Sequence, residues 1–364
     1  MGRKTCGKRG IGLKQLGYYF LRLWVKLALF CYYKKIKVVG MEHVPLDKPV
    51  LFLSNHQNAL MDVLLIATSV KKSPWFITRA DVFRGKFLKS LFRFLQMLPI
   101  YRIRDGKSNL HKNMAIFDQC GELLLSNASM VLFPEANHSL QRRVRPLSKG
   151  FTRIIENALE KDPNLELQLV PVGQNYAYPT QVGDSAILCF GEPISVQQYK
   201  DSLDLKQKIF ENLTRLTTHF PKAEYDEIIQ KMGKEGECYL NPEETNATIA
   251  KGVFPQLMSK KRNLVPKTLR LLFLLWNLPL VLLWRIGLKP KVPEPEFMAT
   301  FRLGFVLVTY PLFYAGSLTV LWNVCDADVA FMAVLSHMVV NLVLVKIGIA
   351  SFRLKSDAYS DENP

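Results

Sequence analysis

Apolar positions change their spacing along this chain, and each change predicts an element. Residues 12–33 repeat with a period near 3.6, which predicts one helix. The stretch "KIKVVGMEHVP" then alternates, predicting a strand and a turn at Gly40. Strand and helix patterns follow in turn. "PVLFLSN" reads as a strand, "ALMDVLLIATSV" as a helix, the start of "PWFITRADVF" as a strand and "FLKSLFRFLQML" as a helix. "PIYRI" is a short strand, residues 107–126 a helix, "SMVLFPE" a strand and "KGFTRIIENAL" a helix; "ELQLVPVGQNY" and "AILCFGEPI" are further strands. This alternation predicts an α/β fold, a sheet covered by helices on both faces. Residues 203–233 are polar and helical in pattern, and residues 234–264, with Gly, Asn and Pro, read as a linker.

Three apolar stretches close the chain. "LRLLFLLWNLPLVLLWRIGL" (269–288) has Pro279 at its centre and cations on both flanks, which a single span should not have. It is expected as a re-entrant or in-plane helix kinked at Pro279. Residues 303–322 and 329–349 are each long enough to cross a bilayer. Their connection, "NVCDAD", lacks Lys and Arg, while Arg302, Lys346, Arg353 and Lys355 mark the other ends. A two-helix hairpin with its tip away from the cytoplasm fits that asymmetry. The expected organisation is a basic amphipathic membrane-associating helix (1–36), an α/β domain (37–233), a linker (234–264) and a hydrophobic membrane region (265–355).

Charge sharpens the picture of the N-terminus. The net charge is +17 over 364 residues, and ten basic residues with no acidic one lie between Arg3 and Lys37. Such a run attracts nucleic acid or anionic lipid. The interleaved "LGYYFLRLWVKLALFCYY" favours lipid, because aromatic and aliphatic residues on a basic helix suit an interface; no nucleic-acid partner is expected. Arg22 and Lys26 interrupt the apolar run, so it is no ordinary signal peptide. Cys6, Cys31, Cys120, Cys189, Cys238 and Cys325 form no CxxC pair or zinc-type spacing and read as reduced thiols of a cytosolic compartment.

Three clusters can carry chemistry. The strand "LFLSN" runs into His56, and Asp62 follows six positions later. An imidazole at a strand end can accept a proton from a hydroxyl, and a carboxylate can orient it; a loop histidine beside a helix-capping Asp has the same spacing. "LFPEANHS" ends a second strand on Glu135, as a plain exit turn or as a turn presenting Glu135 and backbone N–H groups. "QRRVRPLSKGFTR" places Arg142, Arg143, Arg145, Lys149 and Arg153 where a helix opens. These can hold a phosphate or form a solvated basic face. Arg102, in "LPIYRIRDG", follows another strand. Glycine-rich phosphate loops and GxSxG elbows are missing, and His56, Asp62, Glu135 and His138 match no known metal spacing.

Taken together, Asn55-His56 with Asp62, Pro99 to Arg102, Phe133-Pro134-Glu135 and Val170-Pro171-Val172 resemble the four motifs of the glycerolipid acyltransferases. That family comprises the glycerol-3-phosphate and lysophosphatidate acyltransferases. The resemblance covers roughly residues 37–200 and implies that family's mixed sheet flanked by helices. It implies His56 as general base and Asp62 as its orienting partner. Arg102 and Glu135, with Asn55, Arg142, Arg143, Arg145 and Lys149 nearby, would serve a phosphate-bearing acceptor. Val170, Pro171 and Val172 would shape the acyl-side pocket. Two departures stand out. The spacing here is His-x5-Asp where His-x4-Asp is common, which resembles a branch including fungal-type glycerol-3-phosphate acyltransferases. Ala136 replaces the glycine usual after Pro-Glu; if that position takes positive φ, the alanine is strained.

The expected function is therefore a membrane-bound O-acyltransferase without metal or organic cofactor, its active site on the cytoplasmic face. Its donor is acyl-CoA or acyl carrier protein, and its acceptor glycerol phosphate or a lysophospholipid such as 1-acylglycerol 3-phosphate; anionic membrane lipids are further partners. The alternatives are a catalytically silent membrane scaffold and a thioester or lipid hydrolase. The scaffold has no need of His56 and Asp62, and the hydrolase leaves the basic cluster unexplained.

Overall fold

The computed structural model describes residues 13–83, 85–102, 111–199, 201–233, 236–252 and 264–351. Arg3 to Arg9, residues 103–110 and residues 253–263 of the expected linker lie outside these. In chain order the elements are α1 (Leu13–Tyr32), β1 (Lys35–Val39), β2 (Val50–Ser54), α2 (Ala59–Ser69), β3 (Trp75–Arg79), α3 (Gly85–Phe94), β4 (Met97–Ile100), α4 (Lys112–Leu125), β5 (Ser129–Leu132), α5 (Gly150–Lys161), β6 (Gln168–Tyr176), β7 (Ser185–Phe190) and β8 (Ile194–Ser195). Then come α6 (Ser202–Leu216), α7 (Tyr225–Met232), α8 (Pro242–Lys251), α9 (Leu264–Trp276), α10 (Leu278–Leu282), α11 (Met298–Trp322) and α12 (Ala327–Lys346).

The strands form one mixed sheet in the order β1-β7-β6-β2-β5-β3-β4, with β8 also pairing β6. β2 runs parallel to both β5 and β6, β3 parallel to β5 and β4, and β7 antiparallel to β6. Central strands of such a sheet bury both faces and read as continuous apolar runs. In β2, Leu51 and Leu53 pack with Met130, Leu132 and Leu169 under α4, α5 and α6. Val50 and Phe52 face the other way, with Val131, Val170 and Val172 under α1, α2 and α11. All four apolar residues of β2 are at most 1 % exposed, each contributing about 1.5–3 kcal/mol of burial. The edge strand β1 is exposed and carries Lys35 and Lys37, charges that discourage pairing with another chain. Gly173 in β6 lets the end of α6 approach, since a Cβ there would lie 2.1 Å from the Leu216 carbonyl oxygen.

Three expectations change in detail. The helix expected through Leu98 ends at Phe94, because Gln96 takes φ +57° and releases the chain into β4; Pro99 is tolerated there because β4 is an edge strand. Residues 236–252, expected as linker, form a 3₁₀ turn and α8. Tyr239 and Ile249 bury against Phe220, Ile228 and Met232, which gives this segment its own small core. The bend in the first apolar stretch falls before Pro279, with α9 and α10 meeting at 89° across Asn277. Pro279 sits in the first turn of α10, where its missing N–H leaves no bond unmade. Asn277 donates to the Phe273 carbonyl and pairs reciprocally with Asn341 of α12.

α11 and α12 are long and apolar enough to cross a membrane, and they expose Val308, Leu312, Val320, Phe331, Met338 and Val343. The base of α11 is different, since Ala299 and Leu303 are buried with Met61 and Leu65 of α2. Lys346, at the end of α12, donates to the Phe30 and Tyr33 carbonyls at the end of α1. α1 buries Leu29 and Tyr32 but leaves Leu16, Phe20, Leu23, Trp24, Leu27 and Phe30 exposed.

Candidate active site

β2 ends at Ser54, and the next four residues turn the chain into α2, at the carboxyl end of the sheet where sites of open α/β folds form. His56 lies in this turn, and Asp62 is in the first turn of α2, fully buried. His56 Nδ1 lies 2.7 Å from Asp62 Oδ2. Between the two, Ala59 at the start of α2 takes φ +43°. The left-handed step costs roughly 1–2 kcal/mol and lets Asp62 return beneath the histidine. The backbone N–H of Asn58 also donates to Asp62 Oδ2, at 2.8 Å.

A second donor set comes from β6. Tyr176 donates to Asp62 Oδ1 at 2.5 Å. Burial, then the nearby Asp62 charge, holds the Tyr176 phenol well above its ordinary pKa, so it remains a donor. Asp62 is thus a buried carboxylate with three hydrogen bonds, one of them to His56 Nδ1. Nε2 is then the imidazole nitrogen left for chemistry, on a side chain 16 % exposed.

The third motif packs on the imidazole. Phe133 stacks on His56 with ring centroids 4.1 Å apart, and His138 meets it edge-on at 5.6 Å. Glu135 is buried, and Arg145 Nε and Nη2 donate to its Oε2 at 2.8 and 2.6 Å. Burial pushes the Glu135 carboxyl up to about 7 against the opposing pull of Arg145. Arg145 also donates to the Asn137 and His138 carbonyls, closing the turn around them. Ala136 takes φ +63°, so the strained conformation anticipated for a residue in place of glycine is present.

The remaining candidates separate. Asn55 exchanges two hydrogen bonds with the backbone of Gln174, which uses both ends of its amide, and so joins β2 to β6 rather than facing a ligand. Arg142 is corrected likewise. It is buried, donates to the carbonyls of Tyr176 and Ala177, and lies 3.8 Å from the Tyr239 ring centroid. Arg142→Ala is expected to destabilise the fold by about 2–4 kcal/mol, since it removes a donor from the carbonyls of Tyr176 and Ala177, of which the latter keeps the Gly236 N–H, and empties the space over Tyr239. Thermal unfolding checks this, and an unchanged midpoint would return Arg142 to the binding candidates. Arg143 lies beside His219, whose imidazole pKa is lowered by burial and then by that guanidinium. Lys149 is exposed at the start of α5. Val170, Pro171 and Val172 are sealed within β6, paired with Phe52 to Ser54.

Arg102 follows β4 and meets Asp81 at 3.4 Å, and Arg79, ending β3, holds the same carboxylate through Nε and Nη2. Arg79 had not been singled out, although it too ends a strand and lies one strand nearer β2 than Arg102. Tyr176 was missed because it is remote in sequence from Asp62. The signal available was parity: Val170, Val172, Gln174 and Tyr176 share one face of β6, so two polar side chains sit on a buried face.

Residues 35–175 match the family model described as Acyltransferase. Over 138 residues the chain is 28 % identical to 1-acyl-sn-glycerol-3-phosphate acyltransferase LPAT1, chloroplastic, of Arabidopsis thaliana, covering 38 % of this chain and 36 % of that protein. Over 81 residues it is 27 % identical to glycerol-3-phosphate O-acyltransferase 1 of Saccharomyces cerevisiae, covering 22 % and 11 %. The crystal structure of the 1-acyl-sn-glycerophosphate (LPA) acyltransferase PlsC from Thermotoga maritima aligns with a TM-score of 0.43 and 17 % identity, over 56 % of this chain and 78 % of that one. The matched part thus spans little more than a third of the plant relative and about a tenth of the yeast one. Residues 35–175, which carry His56 and Glu135 after β2 and β5 and Asp62 in the first turn of α2, thus match the Acyltransferase family model and are similar to 1-acylglycerol-3-phosphate and glycerol-3-phosphate acyltransferases.

Proposed function

We propose that this chain is a membrane-bound O-acyltransferase of phospholipid biosynthesis. It moves a fatty acyl group from an acyl thioester, acyl-CoA or acyl carrier protein, to the hydroxyl of glycerol 3-phosphate or of a lysophospholipid such as 1-acylglycerol 3-phosphate. The observation that carries this reading is His56 held on a buried, triply bonded Asp62. His56 Nε2 takes the proton of the acceptor hydroxyl, and the oxygen attacks the thioester carbonyl. The tetrahedral intermediate collapses with loss of the C–S bond, and the imidazolium returns its proton to the departing thiolate. Asp62 stabilises the imidazolium between the two transfers. Purified protein given labelled acyl donors and a panel of acceptors tests the reading by mass spectrometry. Ester product supports it; free fatty acid alone marks a hydrolase, and no turnover a scaffold.

The acceptor phosphate is assigned to the guanidinium pair Arg79 and Arg102, which come together on Asp81 at the ends of two adjacent strands, β3 and β4. Arg79→Ala and Arg102→Ala are each expected to lower kcat/KM for the acceptor about 10–100-fold, since a charge-assisted contact contributes roughly 1.5–3 kcal/mol. The thioester donor should respond less. Steady-state kinetics with each substrate varied in turn decide the matter, and a loss confined to the donor would move the phosphate elsewhere.

Membrane attachment is assigned to α11 and α12, with the exposed apolar face of α1 lying in the interface and the active site on the cytoplasmic side. The full chain is expected to resist extraction from membranes by high salt and by carbonate. Release by carbonate would rule out the spanning hairpin.

A further inference from the structure

The segment between the bent apolar helices and α11, "VPEPEF" from Val292 to Phe297, lies outside the family match at residues 35–175. It nevertheless reaches the candidate active site. Glu294 is extended, with φ −143° and ψ 147°. The prolines on either side explain this, since a residue before proline avoids the helical region and each ring fixes its own φ. So constrained, the segment touches residues 138–140 three times. Glu294 Oε2 accepts from His138 Nε2 at 2.9 Å, the Phe297 ring meets the His138 ring at 4.7 Å, and Glu296 Oε1 accepts from the Leu140 N–H at 3.4 Å.

Residues 138–140 in turn touch the catalytic turn three times. The His138 ring stands edge-on to His56 at 5.6 Å, the Ser139 N–H donates to the His56 carbonyl at 3.1 Å, and Gln57 Nε2 donates to the Leu140 carbonyl at 3.1 Å. The imidazole of His56 is therefore held at Nδ1 by Asp62, on one face by Phe133, and by a His138 whose own ring the segment fixes. Beyond Phe297, α11 buries Ala299 and Leu303 against α2, the helix that carries Asp62. Both partners of the His56–Asp62 pair thus rest on the membrane-proximal part of the chain.

From these contacts we infer that Glu294 and Phe297 are positioning residues for His56, acting through His138, so that the membrane region completes the catalytic centre. The inference rests on the acyltransferase reading for its kinetic consequence, but the contact it asserts can be measured without turnover. Glu294 is more than half exposed, so the effect of removing it is moderate. E294A is expected to lower kcat about 3–30-fold, with KM for donor and acceptor changed less than twofold. E294Q should recover most of that loss, because an amide oxygen still accepts from Nε2–H. In an H138A background, E294A should cost nothing more.

The independent measurement is the ring ¹H–¹³Cε1 spectrum of the six histidines of the full chain in lipid nanodiscs, assigned by single His→Gln variants. E294A and F297A should each shift both the His138 and the His56 resonances. An unmoved His56 resonance, a KM-only effect, or an undiminished E294A loss in the H138A background would each overturn the inference. Should the wild-type chain carry out no acyl transfer, the acyltransferase reading falls and the spectra alone decide: coupled shifts sustain the positioning contact, and uncoupled ones remove it.

Discussion

His56→Ala should lower the acyl-transfer rate about 10²–10⁴-fold, the range that a positioned base contributes, while the protein remains folded. The side chain is partly exposed, and its loss removes one of three donors from Asp62 and one ring from the Phe133 stack. Asn58 N–H and Tyr176 still satisfy the carboxylate, so the unfolding midpoint should fall only slightly. The KM values should also change little, since the imidazole is assigned to the transition state rather than to ground-state binding. Initial rates with both substrates saturating, set beside thermal unfolding of the same preparation, make the comparison. Full turnover in a folded His56→Ala protein would remove the base from His56 and, with it, the mechanism proposed above.

Much of the fold could be read because each signal was local. The run Val50 to Leu53 is apolar throughout since both faces of β2 are covered, by α5 and its neighbours on one side and by α2 on the other. Gly40 punctuates β1 at φ +76°. What could not be read depended on contacts distant in sequence. Residues 242–251 are polar enough to pass for linker, but Ile249 and the preceding Tyr239 meet Phe220, and Asn246 donates to the Thr214 and Thr217 carbonyls, which packs them as a helix. The break at Asn277 was masked by the nearby proline, a more familiar cause of bends, whereas the amide pair Asn277–Asn341 spans two separate helices.

The candidate site divides in the same way. His56 and Asp62 lie on one turn and were legible as a pair. That Ala59 between them takes positive φ is something spacing alone does not reveal. The basic cluster misled because cations close in sequence need not face one way. Arg142 turns into the core beneath Tyr239, Arg143 toward His219, and Arg145 back to Glu135. The pair that does share a strand-end location, Arg79 and Arg102, is split across two strands. Glu294 and Phe297 gave no signal at all in an acyl-transfer context, because only the fold carries them to His138.

Asp62 carries two burdens, and two substitutions separate them. Asp62→Ala removes the acceptor of His56 Nδ1, Asn58 N–H and the Tyr176 hydroxyl at a site with no exposure. A buried donor left unpaired costs about 1–3 kcal/mol, so a loss of roughly 3–5 kcal/mol is expected, with activity abolished in part through the fold. Asp62→Asn keeps the shape. Its carbonyl oxygen, placed at Oδ2, still accepts from His56 and Asn58, while the Tyr176 hydroxyl can rotate to accept from the new amide. Stability should then fall by no more than about 1 kcal/mol. The charge is gone, however, and an imidazolium forming beside a neutral amide lacks the stabilisation that a buried carboxylate supplies. We expect Asp62→Asn to reduce kcat at least about 10²-fold in a protein whose denaturation midpoint stays near that of wild type. Urea denaturation and single-turnover rates on the two variants resolve the contributions. A folded Asp62→Asn protein with undiminished turnover would mean that Asp62 holds the turn in shape and takes no part in the proton transfer.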